Sequence, residues 1–233
     1  MTAVILAGGK GTRLRPYTVS LPKPLMPVGD RPILEIVIQQ LKKAGVRRVI
    51  IAVGYLESLI RAYFGNGRRF GVEIIYSSEH EPLGTAGPLN LIADMLDDTF
   101  FFMNGDVLSN IDFSAMLDFH RSEGALATIG LTQRTVNIDF GVVEIDEARR
   151  FAAWQEKPTL GYLVSMGVYL FEPLVIEHLP MGFFNVPELI ERLGEEDELV
   201  KGYVHEGFWL DIGRPDDYVN ACGIVERNEV CFV

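Results

Sequence analysis

Gly8-Gly9-Lys10-Gly11-Thr12-Arg13 follows directly on the short apolar run Ala3-Val4-Ile5-Leu6. A strand that ends in glycines lets backbone N–H groups approach a phosphate, because glycine accepts positive φ and carries no obstructing side chain. Thr12 adds a hydroxyl donor, and the Arg13 guanidinium can fork onto phosphate oxygens. Lys23 stands between Pro22 and Pro24. That frame is stiff, since proline fixes its own φ and biases the preceding residue to extended backbone. Two carboxylates close apolar runs: Asp106 after Asn104-Gly105, and Asp211 after Phe208-Trp209-Leu210. A carboxylate at the C-terminal end of a parallel strand lies where such sheets bind ligands. Either aspartate could instead close a turn or cap a helix, Asp211 especially, because Ile212-Gly213 follows. The loop is neither of the familiar nucleotide motifs. A P-loop needs Gly-Lys followed by Ser or Thr, and the Gly-x-Gly-x-x-Gly fingerprint, begun at Gly9, meets Leu14 at its last glycine. A dinucleotide-dependent dehydrogenase is disfavoured on the same ground; Glu35 has about the right spacing for its acidic residue but falls within an expected helix.

The elements that must position these residues alternate. Residues 3–6, 48–53, 72–76 and 100–103 read as buried strands, being short, continuous and apolar. Between them, Leu34, Val37, Ile38 and Leu41 recur at helical spacing behind Pro32 and ahead of Gly45. Residues 56–64, 85–96 and 113–122 also read as helices. This βαβα rhythm predicts an α/β fold: a doubly wound, mostly parallel sheet with helices on both faces. The second half is richer in strands, at 125–131, 141–145, 151–156, 163–171 and 199–204. Helices are expected at 172–178, 186–193 and 214–227. The whole reads as one mixed unit with a soft boundary near residue 110. The first half is expected to hold a nucleotide and the second half the other substrate.

Composition limits the alternatives. The 233 residues carry 32 acidic and 21 basic groups, a net charge of −11, so a general nucleic-acid binder with a basic face is not expected. A chain this acidic must gather its basic groups locally, or use a cation, to handle phosphates. Two cysteines, Cys222 and Cys231, and four histidines give no Cys/His zinc pattern. The start lacks the pattern of a signal peptide, and no apolar run reaches the roughly 18 residues of a membrane span. The default expectation is a soluble cytoplasmic protein. A homo-oligomer is compatible with this, with apolar surface expected around Ile224 and Val225.

Gly8-Gly9-Lys10-Gly11-Thr12-Arg13-Leu14-Arg15-Pro16 with Pro22-Lys23-Pro24 resembles the signature of the sugar-phosphate nucleotidyltransferase family. That family includes mannose-1-phosphate guanylyltransferases and glucose-1-phosphate thymidylyl- and uridylyltransferases. The likeness continues in order through Glu81 to Leu89, Asn104-Gly105-Asp106, Phe140-Gly141-Val142-Val143, Glu156-Lys157-Pro158 and Trp209-Leu210-Asp211-Ile212-Gly213. It implies a nucleotide-diphospho-sugar transferase fold with a Rossmann-like N-terminal half. The implied reaction is attack by a sugar-phosphate oxygen on a nucleotide α-phosphate, with loss of pyrophosphate. A phosphate oxygen is already ionised, so neither a protein nucleophile nor a strong base is required, and catalysis rests on positioning and charge. The resemblance assigns Arg13 to the β,γ-phosphates and Lys23 to the α-phosphate, and makes Arg13, Lys23 and Asp106 the catalytic set. It gives Mg²⁺ to Asp106 and Asp211. Nucleotide contacts fall on Leu6, Ala7, Gly8, Gly9, Gly11 and Thr12, and further on Pro82, Gly84, Thr85, Asn104 and Gly105. Sugar-phosphate contacts fall on Gly141, Glu156, Lys157 and Ser165.

Three departures bear on specificity. Phe140 stands where many relatives have tyrosine, and Ser165-Met166 where many have an asparagine ahead of the glycine; both changes touch the expected sugar site. The chain leaves no room for the C-terminal left-handed β-helix of many relatives, so a second acetyltransferase activity is not expected. Pro82 to Leu89 resembles the mannose-1-phosphate guanylyltransferase form, which favours GTP. The alternatives are UTP with an amino-sugar or muramic-acid type 1-phosphate, and a non-catalytic regulatory relative that binds nucleotide sugars.

Overall fold

The computed structural model describes residues 1–233 apart from His80, Asn228, Cys231 and Val233. Its strands are β1 (Thr2–Ala7), β2 (Pro27–Val28), β3 (Arg31–Pro32), β4 (Arg48–Val53), β5 (Glu73–Ser78), β6 (Phe100–Asn104), β7 (Val107–Ser109), β8 (Ala127–Asn137), β9 (Val142–Ile145), β10 (Phe151–Gln155), β11 (Thr159–Phe171), β12 (Val200–His205) and β13 (Trp209–Asp211). Its α-helices are α1 (Ile33–Lys43), α2 (Glu57–Phe64), α3 (Phe113–Glu123), α4 (Val186–Glu195) and α5 (Pro215–Glu226). Seven strands form one sheet in the order β12-β8-β11-β6-β1-β4-β5. β11 runs antiparallel to both β6 and β8, while all other neighbours are parallel. The mixed, mostly parallel, doubly wound expectation is met.

The apolar runs are continuous because both faces of the sheet are covered, and alternate residues serve opposite faces. Ala3, Ile5, Phe101 and Met103 pack with Leu34, Val37 and Leu41 of α1, with Ile60 of α2 and with Met116 of α3. Val4, Ile50, Phe100 and Phe102 face the other way, onto Leu89 and Ile92 and onto Leu189 and Leu193 of α4. A third cluster lies off the sheet, where Leu14, Met26, Ile33 and Leu108 meet Ile212 and Ala221. It fastens the loop after β1, and α5, to the outer side of α1. Ile224 is buried in the structure and Val225 packs against this cluster, so these two residues do not form the exposed patch expected of them. No helix among the described residues is long and apolar enough to cross a membrane.

The chain order decides where the site lies. From β1 the chain moves to one side through β4 and β5, then returns to the other side of β1 with β6. The crevice between the C-terminal ends of β1 and β6 is therefore a topological switch point, the place where open α/β sheets bind ligands. Leu6 pairs with Asn104 there, so the glycine loop and Asp106 leave the sheet side by side.

Elsewhere the expected spans shift. The helix expected at 85–96 is a 3₁₀ helix over Gly87–Met95. The Ala86 and Gly87 N–H groups bind the Phe184 carbonyl, and Pro88 has no N–H, so the first turn does not set up an α ladder. Residues 172–178 likewise form a 3₁₀ helix, Pro173–His178. β8 and β11 run on past the sheet as a two-stranded ladder, which carries the β9–β10 ribbon. Phe102 is fully buried and meets Tyr169 and Phe171. Phe102→Ala is expected to destabilise the fold by about 3–5 kcal/mol in urea unfolding; a loss under about 1 kcal/mol would mean that this layer is not the core.

Candidate active site

The loop after β1 is held on both sides and open in the middle. The Tyr55 N–H donates to the Gly8 carbonyl at 3.2 Å, tying the loop to the end of β4. Gly11 is left-handed, with φ of 58°, and opens a 3₁₀ turn over Thr12–Leu14. Its carbonyl accepts from Thr18 Oγ1 at 2.7 Å, and a Cβ here would come within 2.9 Å of the Thr18 methyl. Leu14 is fully buried and pins the turn. Gly9, Thr12 and Arg13 are left facing a cleft of about 240 Å³. Leu6, Ala7 and Gly11 line it from the same loop, and Lys23, Pro24, Gly105 and Asp106 complete it. Gly105 is required by close approach: its N–H donates to the Leu6 carbonyl at 2.9 Å, and a Cβ would stand 2.7 Å from that oxygen.

β7 begins straight after Asp106 and pairs antiparallel with β13, placing Asp211 opposite Val107. This ribbon brings Asp211 beside Asp106. β7 is not apparent in the sequence, because three residues behind Asn104-Gly105-Asp106 read as a turn. Lys23 is buried, held by Leu25 and Met26, which are buried behind it. Its Nζ pairs with Asp106 Oδ2 and lies 3.6 Å from Asp211 Oδ1. A buried ammonium is tolerable in such company and would be costly without it. Asp106 Oδ1 is buried with no hydrogen-bond partner among the described residues. Burial and the Asp106 charge push the Asp211 carboxyl above the usual aspartate range, against the pull of Lys23 and Arg13. An unpartnered carboxylate oxygen and a crowded second carboxylate form a donor pair suited to a hard divalent cation, which completes its shell with phosphate oxygens and water. No group of three or more His, Cys, Asp or Glu gathers into a cage among the described residues.

The segment after β5 is braced from behind. Thr85 Oγ1 accepts from the Val186 N–H at 2.9 Å, and the Thr85 N–H donates to Asn185 Oδ1 at 3.2 Å. Gly84 and Gly87 press on the backbone of Phe184 and Gly182. In the structure these small residues serve close packing against the entry to α4, and Pro82 is exposed. Glu79 escaped the sequence reading. Its Oε2 accepts from the Leu83 N–H at 3.0 Å, while Oε1 lies 3.6 Å from the position of a Gly8 Cβ. Its only sequence signal is its place as the first charged residue beyond a strand that ends next to the glycine loop.

Gly141, Glu156, Lys157 and Ser165 do not line the cleft. The register of β9 and β10 places Gly141 across from Glu156 at the root of the ribbon. The Trp154 ring occupies the space above Gly141, where a Cβ would collide with it. Its indole N–H donates to Glu156 Oε2 at 3.1 Å. Lys157 takes a left-handed backbone, with φ of 46°, and Phe140 is exposed. Ser165 lies at a bulge in β11.

The nucleotidyl transferase family profile matches residues 2–228. The chain belongs to that family. It is 39% identical over 236 residues to a mannose-1-phosphate guanylyltransferase of Mycobacterium tuberculosis, covering 97% of this chain and 64% of that protein. It is 38% identical over 229 residues to a mannose-1-phosphate guanylyltransferase catalytic subunit beta of Danio rerio, covering 95% and 63%. The chain thus spans a little under two thirds of the length of these relatives. Among solved structures, HddC from Yersinia pseudotuberculosis superposes with a TM-score of 0.75 at 25% identity, over 96% of this chain and 99% of that one. A second structure of that protein is a complex with GMP-PN.

The Asp211 environment sets a pH dependence. A carboxyl raised by folding contributes its stability below the unfolded value, near 4, and loses it as pH rises through the folded value. Asp211→Asn is therefore expected to be more stable than the parent at pH 7, with the gap closing towards pH 4. Denaturant unfolding at both pH values measures this; an asparagine variant that is less stable by the same margin at each would contradict it.

Proposed function

We propose that this chain condenses a sugar 1-phosphate with a nucleoside triphosphate, GTP by preference, releasing pyrophosphate and a nucleotide-activated sugar. The observation that carries the reading is the convergence of Arg13, Lys23, Asp106 and Asp211 on the switch-point crevice, with Asp106 Oδ1 unpartnered. An oxygen of the sugar phosphate attacks the α-phosphorus in line. The new P–O bond forms as the bond to the α,β-bridging oxygen breaks, and the electron pair leaves on pyrophosphate. Arg13, on the loop, offsets charge growing on the leaving group, and Lys23 offsets charge at the α-phosphate. Asp106 and Asp211 would hold Mg²⁺, whose charge neutralises phosphate oxygens and orients them. The N-terminal half, to about residue 110, takes the nucleotide. The remainder takes the sugar phosphate, through Glu156, Lys157 and Ser165.

Glu79 supports the base preference. Guanine offers two adjacent donors on one edge, N1–H and the 2-amino group, which a carboxylate can accept together. Uracil offers a single N–H between two acceptors. The names of the curated relatives point the same way.

Purified protein with Mg²⁺ is expected to release pyrophosphate from GTP and mannose 1-phosphate faster than from UTP, dTTP, CTP or ATP paired with mannose-, glucose-, glucosamine- or heptose-type 1-phosphates. Asp106→Asn is expected to lose at least about 100-fold in rate, the scale of a lost charge stabiliser. Mg²⁺ should raise the melting temperature of the parent and not that of the variant. No release from any pair, with nucleotide binding intact, would instead favour a regulatory binder. Glu79→Gln should lower the GTP-over-UTP ratio of kcat/KM by about tenfold, through one charge-assisted hydrogen bond; an unchanged ratio would remove Glu79 from base selection.

A further inference from the structure

β11 shifts register against β8 between Ser165 and Tyr169, with Gly167 in the bulge at φ of 70°. Both segments that deliver the carboxylates grip this bulge. Asn104, two residues before Asp106, packs its side-chain amide on Gly167. Trp209, two residues before Asp211, donates its indole N–H to the Met166 carbonyl at 3.0 Å. These two contacts fix the bulge beside the crevice.

Ser165 is exposed and Tyr169 is buried, its ring against Phe102 and Phe171. Ser165 Oγ accepts from the Gly167 N–H at 3.2 Å and lies 2.9 Å from the Tyr169 hydroxyl oxygen. Each hydroxyl has one proton to donate and lone pairs to accept with. The phenolic hydroxyl is the more acidic of the two, hence the better donor and the poorer acceptor, which makes Tyr169 the donor to Ser165. Ser165 Oγ then accepts twice, from Tyr169 and from the Gly167 N–H, and keeps its own proton to donate.

We infer that Tyr169 is a positioning residue which, by donating to Ser165, makes the Ser165 hydroxyl a fixed hydrogen-bond donor to an acceptor oxygen of the sugar 1-phosphate. The inference rests on the proposed function and adds a residue to it. It also gives the Ser165 departure a physical meaning. An asparagine could donate and accept from two atoms, whereas this serine presents a single proton in a set direction.

The test is a double-mutant cycle of Ser165→Ala and Tyr169→Phe, with Ser165→Thr as the variant that keeps the hydroxyl. It uses whichever of mannose, glucose or glucosamine 1-phosphate the parent turns over, or binds by calorimetry. Each single variant is expected to raise the KM or Kd for the sugar phosphate about fivefold, one ordinary hydrogen bond. The KM for the nucleotide should stay within about twofold, the double variant should be no worse than either single one, and Ser165→Thr should stay near the parent. An unchanged sugar-phosphate KM in Tyr169→Phe, multiplying effects in the double variant, or a fall in kcat and melting temperature with both KM values altered together would each overturn the inference alone. A parent that neither turns over nor binds any of the three sugar phosphates would overturn the proposed function as well.

Discussion

Lys23 is buried, and an ammonium in that position needs carboxylates against it. Asp106 and Asp211 meet that need, and the rest of the architecture serves to bring the three together. β1 and β6 must be neighbours, so that the loop carrying Arg13 and the turn carrying Asp106 emerge side by side. β7 and β13 must pair, so that Asp211 returns to Asp106. The third apolar cluster must close over Leu14, Met26, Leu108 and Ile212, so that the loop, Lys23 and both aspartates share one rigid base. Each carboxylate is near the other and near a buried cation, so the ionisation of any one of the three is coupled to the other two.

The same arrangement lets an acidic chain gather its basic groups at one crevice. Its net charge of −11 is unfavourable for a polyanion, but the relevant field is local. Arg13 and Lys23 stand at the crevice, and a divalent cation on Asp106 and Asp211 would turn two negative charges into a positive centre. Burial first, and then repulsion from Asp106, raise the Asp211 carboxyl.

The β11 bulge joins the β8–β11 ladder to the crevice. β11 is antiparallel to β6, so the segment proposed to serve the sugar phosphate enters the sheet directly beside the strand that leads to Asp106. Asn104 and Trp209 contact the bulge, and each lies two residues before one of the carboxylates. Close packing recurs at Gly84, Gly87 and Gly141, where small residues admit neighbouring backbone or an indole ring.

The sequence by itself determined the strands that are apolar on both faces, the helices with a clear apolar stripe, the glycine loop and the Pro-Lys-Pro frame. These features depend on local spacing, and local spacing survives in one dimension. It also carried Arg13, Lys23, Asp106 and Asp211, because the chemistry of phosphates demands those residue types and the family pattern orders them. Only the tertiary structure decided that Lys23 sits between the aspartates, that β7 and β13 join them, that Glu79 faces the glycine loop, and that Tyr169 holds Ser165. Most of those relations link residues far apart in the chain, and the rest depend on how a strand bends. Short elements such as β7 owe their form to a partner about a hundred residues away, and an isolated three-residue segment contains no signal of that partner.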